Sequence, residues 1–235
     1  MKNLQLFLLA TLAAALPLLQ SCNDSASEGA DSATLVTIDN PLEIAYGYYF
    51  RADNGKTYYP SQLSESLANY NPKDGQRAVI YYSQIDERRQ GYDYSIKLYA
   101  VAELLTDQVK ECGPDEEYGD EPIVPVQLSG GTGYDCLISG GYLTLSFKIL
   151  AQGSETHEID LIANTAAQDA DDPDYTSLEL RHKSGITNTT GSVHTTAASF
   201  KLGEYDPAVT GKTGIKLRFK NFDESIAYIK IDYRQ

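Results

Sequence analysis

Through the second half of the chain, apolar and polar residues alternate with a period of two. Leu143, Leu145, Phe147 and Ile149 fall on one phase, with Thr144, Ser146 and Lys148 on the other. The same alternation sets Ile159 and Leu161 against Glu158 and Asp160, and Leu178 and Leu180 against Glu179 and Arg181. It recurs at Ile215, Leu217 and Phe219, and at Ile229, Ile231 and Tyr233. Ala198, Phe200 and Leu202 make a further strand, and Val124, Val126 and Leu128 another. A strand with one face buried and one wet reads this way, because successive side chains point to opposite faces. Seven such strands in about 110 residues predict an antiparallel β-sandwich over 123–235. No helical periodicity interrupts them.

The first half predicts shorter strands. Leu35 to Ile38, Ile44 to Phe50, Thr57 to Tyr59, Arg77 to Ile85 and Tyr92 to Val101 are rich in β-branched and aromatic residues. Asp53-Asn54-Gly55-Lys56 reads as a hairpin turn, because Asn-Gly accepts positive φ. Ser61 to Asn69 has room for one helical turn capped by Ser61 or Ser64. Five strands with one short helix predict a small barrel over 35–110. Between the two domains, the Pro-bracketed acidic stretch from Asp115 to Pro122 predicts a linker over 111–122. No repeat relates the halves.

The N-terminus predicts export. Lys2 precedes Leu4 to Leu19, an apolar run broken only by Gln5, Thr11 and Pro17. That length suits a signal peptide over 1–21 and is short for a transmembrane helix. Leu19-Gln20-Ser21-Cys22 resembles the bacterial lipobox, whose cysteine thiol takes a diacylglyceryl group before cleavage. Cys22 is then the lipidated first residue, and 22–34, rich in Ser, Ala, Asp and Gly, is a flexible tether. No later stretch is apolar enough to cross a bilayer, so the lipid is the expected membrane attachment. Asp24-Ser25-Ala26 and Asp31-Ser32-Ala33 resemble the acceptor triplet of Bacteroidota protein O-glycosylation, which makes Ser25 and Ser32 candidate sites. Chance recurrence in so biased a stretch is the alternative.

Charge and cysteine count narrow the partners. The chain carries 33 acidic and 19 basic residues, a net charge of -14. Loss of Lys2 with the signal peptide makes it more negative still. Such a surface repels phosphate backbones, which argues against nucleic acid. Lipidation of Cys22 leaves two cysteines, and export makes a Cys112–Cys136 disulfide the expectation.

Candidate chemistry is sparse. His157 and His182 share phase with their strands' apolar residues, as a two-strand metal site or as sheet-margin histidines; no short ligand spacing supports the metal. The third histidine, His194, stands apart. Asp169 to Asp174 lacks the central glycine and distal glutamate of a calcium loop. Gly130-Gly131-Thr132-Gly133 lacks the Lys-Ser/Thr of a phosphate cradle, and no Gly-x-Ser-x-Gly elbow occurs. Neither Cys112 nor Cys136 has a histidine pattern of a thiol nucleophile. Paired carboxylates of a glycosidase leave no sequence signature. The sequence therefore predicts no catalytic residues, no metal and no cofactor. Tyrosine is the one suggestive residue, with eleven of 18 between Tyr46 and Tyr99. Tyr46, Tyr48, Tyr82 and Tyr99 are the expected ligand face, an aromatic platform for a sugar ring or a protein partner. Core filling is the alternative.

The order of several motifs carries a family likeness. Gly47-Tyr48-Tyr49-Phe50, Asp53-Asn54-Gly55-Lys56-Thr57-Tyr58-Tyr59-Pro60, Gly75-Gln76-Arg77-Ala78 and Gly91-Tyr92-Asp93-Tyr94 are followed by Gly140-Gly141-Tyr142-Leu143, His157-Glu158-Ile159-Asp160 and Leu178-Glu179-Leu180-Arg181-His182. Together they resemble the NigD-like lipoproteins of Bacteroidota over nearly the whole mature chain. The resemblance implies an all-β chain with an N-terminal OB-type barrel and a C-terminal β-sandwich, and it brings no catalytic residues. Members often carry a Trp shortly before the Gly-Gly-Tyr-Leu stretch; this chain has no Trp. The expected function is a lipid-anchored, non-catalytic binding module of the envelope, at the outer membrane and facing the periplasm or the cell surface, with a protein or glycan partner. A glycan-acting enzyme and a structural or assembly component are the alternatives.

Overall fold

The computed structural model describes residues 29–41, 47–112, 118–128, 133, 135–152, 156–163, 172–184 and 191–233. Cys22, Ser25, Tyr46 and the signal peptide lie outside the described residues. The chain divides into two units, at Thr106 and Asp107.

The first unit is a closed barrel. Its strands are β1 (Ser32–Asp39), β2 (Tyr49–Ala52), β3 (Thr57–Leu63), β4 (Arg77–Gln84) and β5 (Tyr94–Glu103). They close in the order β1-β2-β3-β5-β4, with β3 and β5 parallel and the other pairs antiparallel. Val36, Ile38, Phe50, Ala78, Ile80, Ile96 and Leu98 fill the interior. Closure removes the open edges that an isolated five-stranded sheet would expose. The predicted hairpin joins β2 to β3: Gly55 has φ 80°, and its amide donates to the Ala52 carbonyl at 2.9 Å. The helical turn is a single 3-10 turn, Glu65–Leu67, preceded by Ser64. Ser64 does not cap it; its hydroxyl donates to the Tyr99 carbonyl at 2.8 Å, tying the turn to β5. Arg77 lies on the opposite face of β4 from Ala78 and Ile80, yet its side chain is fully buried. It donates to both carboxylate oxygens of Asp53, at 2.5 and 2.9 Å, and to the Thr37 hydroxyl at 3.1 Å.

The second unit is the sandwich. One sheet contains β6 (Leu105–Gln108), β8 (Val124–Pro125), β9 (Cys136–Ser139), β10 (Tyr142–Ala151) and β13 (Ser192–Lys201). The other contains β7 (Lys110–Glu111), β11 (His157–Ala163), β12 (Tyr175–Ser184), β14 (Gly214–Lys220) and β15 (Ile226–Asp232), ordered β15-β14-β12-β11-β7. β10 pairs antiparallel with β8, β9 and β13, β11 with β12, and β14 with β15, whereas β12 with β14 and β7 with β11 are parallel. The apolar phase read from the sequence is the buried one: Leu143, Leu145, Phe147, Leu178, Leu180, Leu217 and Phe200 form one core. At the short strand β8 the phase is reversed, since Ile123 and Pro125 are buried while Val124 and Val126 are half-exposed. A one-turn helix, Pro207–Thr210, also appears in this half. Asp206 caps it by accepting from the Ala208 amide at 2.9 Å, Pro207 opens it, and Gly211 at φ 71° closes it.

Three expectations are corrected. The stretch 111–122 does not link the domains, because its described residues are built into the second unit. The Glu121 amide donates to the His182 carbonyl at 3.0 Å, and the Ile123 amide to the Lys220 carbonyl at 2.9 Å. Gly119 comes so close to the β12 backbone that a Cβ there would collide with the His182 carbonyl. No disulfide joins Cys112 and Cys136. Cys112 follows β7 and donates its amide to Ala163 of one sheet, whereas Cys136 pairs with Leu145 in the other. Burial pushes the Cys136 thiol up to about 12, so it stays protonated. Ser32 is not in a flexible tether. It opens β1 opposite Tyr82, and the Asp31 amide donates to the Tyr82 carbonyl at 3.2 Å.

Candidate functional site

Two residues of the expected tyrosine face, Tyr48 and Tyr82, point inward. Tyr48 is 3% exposed and Tyr82 is 9% exposed, and both belong to the barrel core. Tyr48 packs edge-on against Phe50, with ring centroids 5.5 Å apart, and Tyr82 against Tyr58 at 5.3 Å. Phe50 decides the phase: it shares a strand face with Tyr48, and that face is the interior. Tyr99 is half-buried, with the Lys97 ammonium 5.0 Å from its ring centroid.

The outward tyrosines are their neighbours. Tyr49 follows Tyr48, and Tyr59 follows Tyr58, so each takes the opposite face. Tyr92 precedes β5 and meets both, at 5.3 Å from Tyr49 and 5.0 Å from Tyr59. The Arg89 guanidinium lies over the Tyr59 ring, 3.9 Å from its centroid, a favourable cation–π contact. These rings adjoin a half-open cup of about 650 Å³, lined by the β4–β5 connection from Gln84 to Ser95.

Asp93 holds that connection in place. Its carboxylate accepts from Lys56 Nζ at 2.8 Å, the Thr57 amide at 3.0 Å and the Thr57 hydroxyl at 3.1 Å. Those bonds hold its carboxyl down at about 2. The tip of the β2–β3 hairpin is thereby pinned to the rim of the cup. Within the cup, Ser95 is 3% exposed and its hydroxyl has no hydrogen-bond partner among the described residues. Sequence reading missed Tyr49, Tyr59, Tyr92, Arg89 and Ser95. The signal was present in the doubled tyrosines, because one member of each pair must face outward once the other is buried.

The histidines meet, as strand phase allowed. Register sets Ile159 opposite His182, and the His157 and His182 rings stack with centroids 5.1 Å apart. His182 Nδ1 lies 3.2 Å from the Pro122 carbonyl and its Nε2 lies 2.9 Å from His157 Nδ1. A carbonyl only accepts, which assigns the proton of neutral His182 to Nδ1. Among the described residues no group of three metal-ligating side chains occurs. Of the acidic run Asp169 to Asp174, Asp172 is engaged by Lys216 at 2.8 Å and Lys230 at 2.5 Å.

Burial lowers the His182 pKa; the Pro122 carbonyl and the Glu121 carboxylate, 3.9 Å away, oppose that, and His157 adds to it. The unfolded chain therefore binds this proton first, and stability falls as pH drops below the ordinary histidine value of about 6.5. The melting temperature should decrease from pH 7.5 to 5.5, and less steeply in His182→Gln. Parallel decreases in the two proteins would exclude His182 as a source.

Barrel and sandwich together define a two-domain all-β protein whose first domain has the strand order of an OB fold. The chain belongs to the NigD-like family. The NigD-like N-terminal OB domain matches residues 35–104, and the NigD-like C-terminal β-sandwich domain matches residues 107–233. No curated protein matches the sequence. Among solved structures, a protein of unknown function from Bacteroides vulgatus is 20% identical with TM-score 0.68, over 87% of this chain and 92% of its own. A protein described provisionally as a lipoprotein, from Bacteroides fragilis, is 12% identical with TM-score 0.61, over 87% and 98%. A NigD-like immunity protein from Bacteroides caccae is 15% identical with TM-score 0.59, over 84% and 91%. At these identities the likeness is one of fold. Among the described residues no helix is long and apolar enough to cross a membrane.

Proposed function

We propose that this protein is a lipid-anchored envelope lipoprotein that works as a non-catalytic binding module, with its ligand site at the barrel cup. The observation that carries the reading is the outward cluster of Tyr49, Tyr59 and Tyr92 beside a cup whose rim is pinned by Asp93. Concave sites beside aromatic side chains are common places for ligands to bind, and this one is lined mostly by polar and charged groups. The lipobox at Cys22 and the lipoprotein description of the Bacteroides fragilis relative support the anchor.

Two measurements test it. Cys22→Ala should move the protein out of the membrane fraction; continued membrane association would refute the anchor. Pull-down from intact cells with the mature chain should recover a ligand that the Tyr59→Ala/Tyr92→Ala protein, shown to be folded by circular dichroism, no longer retains. Equal retention by the two would place the site elsewhere.

A further inference from the structure

We infer that the end of the barrel that carries the cup is its membrane-facing end, with the loop from Asp86 to Gly91 seated among phospholipid headgroups. The inference rests on the lipid anchor at Cys22 and adds which surface of the protein meets the bilayer.

Strand register fixes the geometry. β1 starts beside the end of β4, with Ser32 opposite Tyr82. β5 starts beside that same end, with Ile96 opposite Gln84. The chain therefore enters the barrel at the end where the β4–β5 connection projects. It leaves at the other end, where Glu103 of β5 stands opposite Ala78. The entry point is fastened. The Ser83 hydroxyl donates to the Gly29 carbonyl at 3.2 Å, and the Asp31 amide to the Tyr82 carbonyl at 3.2 Å. Gly29 has φ 94° and lies so close to the Tyr99 ring that a Cβ would come within 3.0 Å of Cε1.

Gly29 stands seven positions after Cys22. Seven residues reach about 25 Å at full extension, and a coil of that length averages about 15 Å. A lipid on Cys22 thus holds the cup end of the barrel within reach of the headgroups. Turning the other end to the bilayer would send the tether back over the barrel wall. The eight residues of β1 alone are about 26 Å long, so that route would use most of the tether's reach.

The loop suits such a neighbour. Asp86, Glu87, Arg88, Arg89, Gln90 and Gly91 are all exposed. A zwitterionic headgroup carries a phosphate, which guanidiniums bind, and an ammonium, which carboxylates bind. Arg89 stacks on Tyr59, and Tyr92 lies beside that ring. Tyrosines collect at membrane interfaces, where one end is apolar and the other wet. The net charge of -14 gives no long-range attraction to an anionic surface. The contact therefore depends on the tether, which keeps the loop at high effective concentration near the lipid.

The test is fluorescence quenching on vesicles of phosphatidylethanolamine and phosphatidylglycerol that carry a nitroxide on the headgroup. The lipidated mature chain, with Cys112→Ser, takes a fluorophore on Gln90→Cys at the cup end or on Lys73→Cys, just before β4 at the other end. Both positions are exposed, and Cys136, whose thiol stays protonated, is left unlabelled. Loss of fluorescence at Gln90→Cys and its retention at Lys73→Cys are expected. Arg88→Ala/Arg89→Ala should lower the quenching at Gln90→Cys. Equal quenching at the two positions, or stronger quenching at Lys73→Cys, on protein that floats with the vesicles would overturn the orientation and leave the anchor intact. Quenching unchanged by the arginine substitutions would overturn the headgroup contact. A mature chain that does not float with the vesicles would overturn the anchor, and this inference with it.

Discussion

Asp53→Ala should destabilise the barrel by about 3–5 kcal/mol. Arg77 is the largest fully buried side chain among the described residues, and Asp53 holds it through two hydrogen bonds. The pair itself is no strong stabiliser, since both charges were taken from water. Removing one partner is a different matter. The guanidinium then remains buried without its two charge-assisted hydrogen bonds to Asp53, and the neutral Thr37 hydroxyl cannot replace the carboxylate. Asp53 also sits in the β2–β3 turn, so the pair fastens that hairpin to β4. Intrinsic tyrosine fluorescence is a suitable probe, because eleven of 18 tyrosines lie between Tyr46 and Tyr99 and the chain has no Trp. Urea unfolding should show an earlier barrel transition in Asp53→Ala and a smaller shift in Asp53→Asn. A loss below about 1 kcal/mol in Asp53→Ala would mean that Arg77 does not depend on this carboxylate.

Phe147→Ala should cost the sandwich about 3–5 kcal/mol. Phe147 is fully buried in the middle of β10, where it stands opposite Thr196 of β13 and Pro125 of β8. Strands on both sides fix the backbone there. The core therefore cannot collapse fully into the space left, and the cavity term adds to the lost burial. Phe222, which is 38% exposed, is the internal control, and Phe222→Ala should stay within about 0.5 kcal/mol. Denaturant unfolding followed by far-ultraviolet circular dichroism reads both. Equal effects of the two substitutions would contradict the core assignment.

The sandwich was legible because its strands carry one apolar face each. Leu143, Leu145, Phe147 and Ile149 could point only one way, and all four are buried. The barrel was legible as strands and turns, less so as faces. Tyr48-Tyr49, Tyr58-Tyr59 and Tyr81-Tyr82 put similar side chains on both phases, so alternation alone does not say which tyrosine is inside. Phe50 carried that information. The parallel pairing of β12 with β14 left no sequence mark, since the intervening strand β13 goes to the other sheet. The phase of His182 with Leu178 and Leu180 was legible, but its burial was not, since a place at the sheet margin fits the same pattern. Its contact with His157 needed the register. The acidic composition of 111–122 suggested a linker because composition reports solvent exposure, whereas Gly119 and Ile123 are fixed by hydrogen bonding and packing that only the folded sheet defines.

Placing Cys112 and Cys136 in opposite sheets makes the maturation of this fold independent of oxidative folding. Its tertiary structure is complete with both sulfurs reduced, so it requires neither a thiol oxidase nor an isomerase to reach its final state. The same native chain should therefore form in the reducing cytosol of a production host and in an oxidising envelope. A change in redox poise would leave the sandwich standing, because its core is aliphatic and aromatic and neither thiol is part of a cross-link.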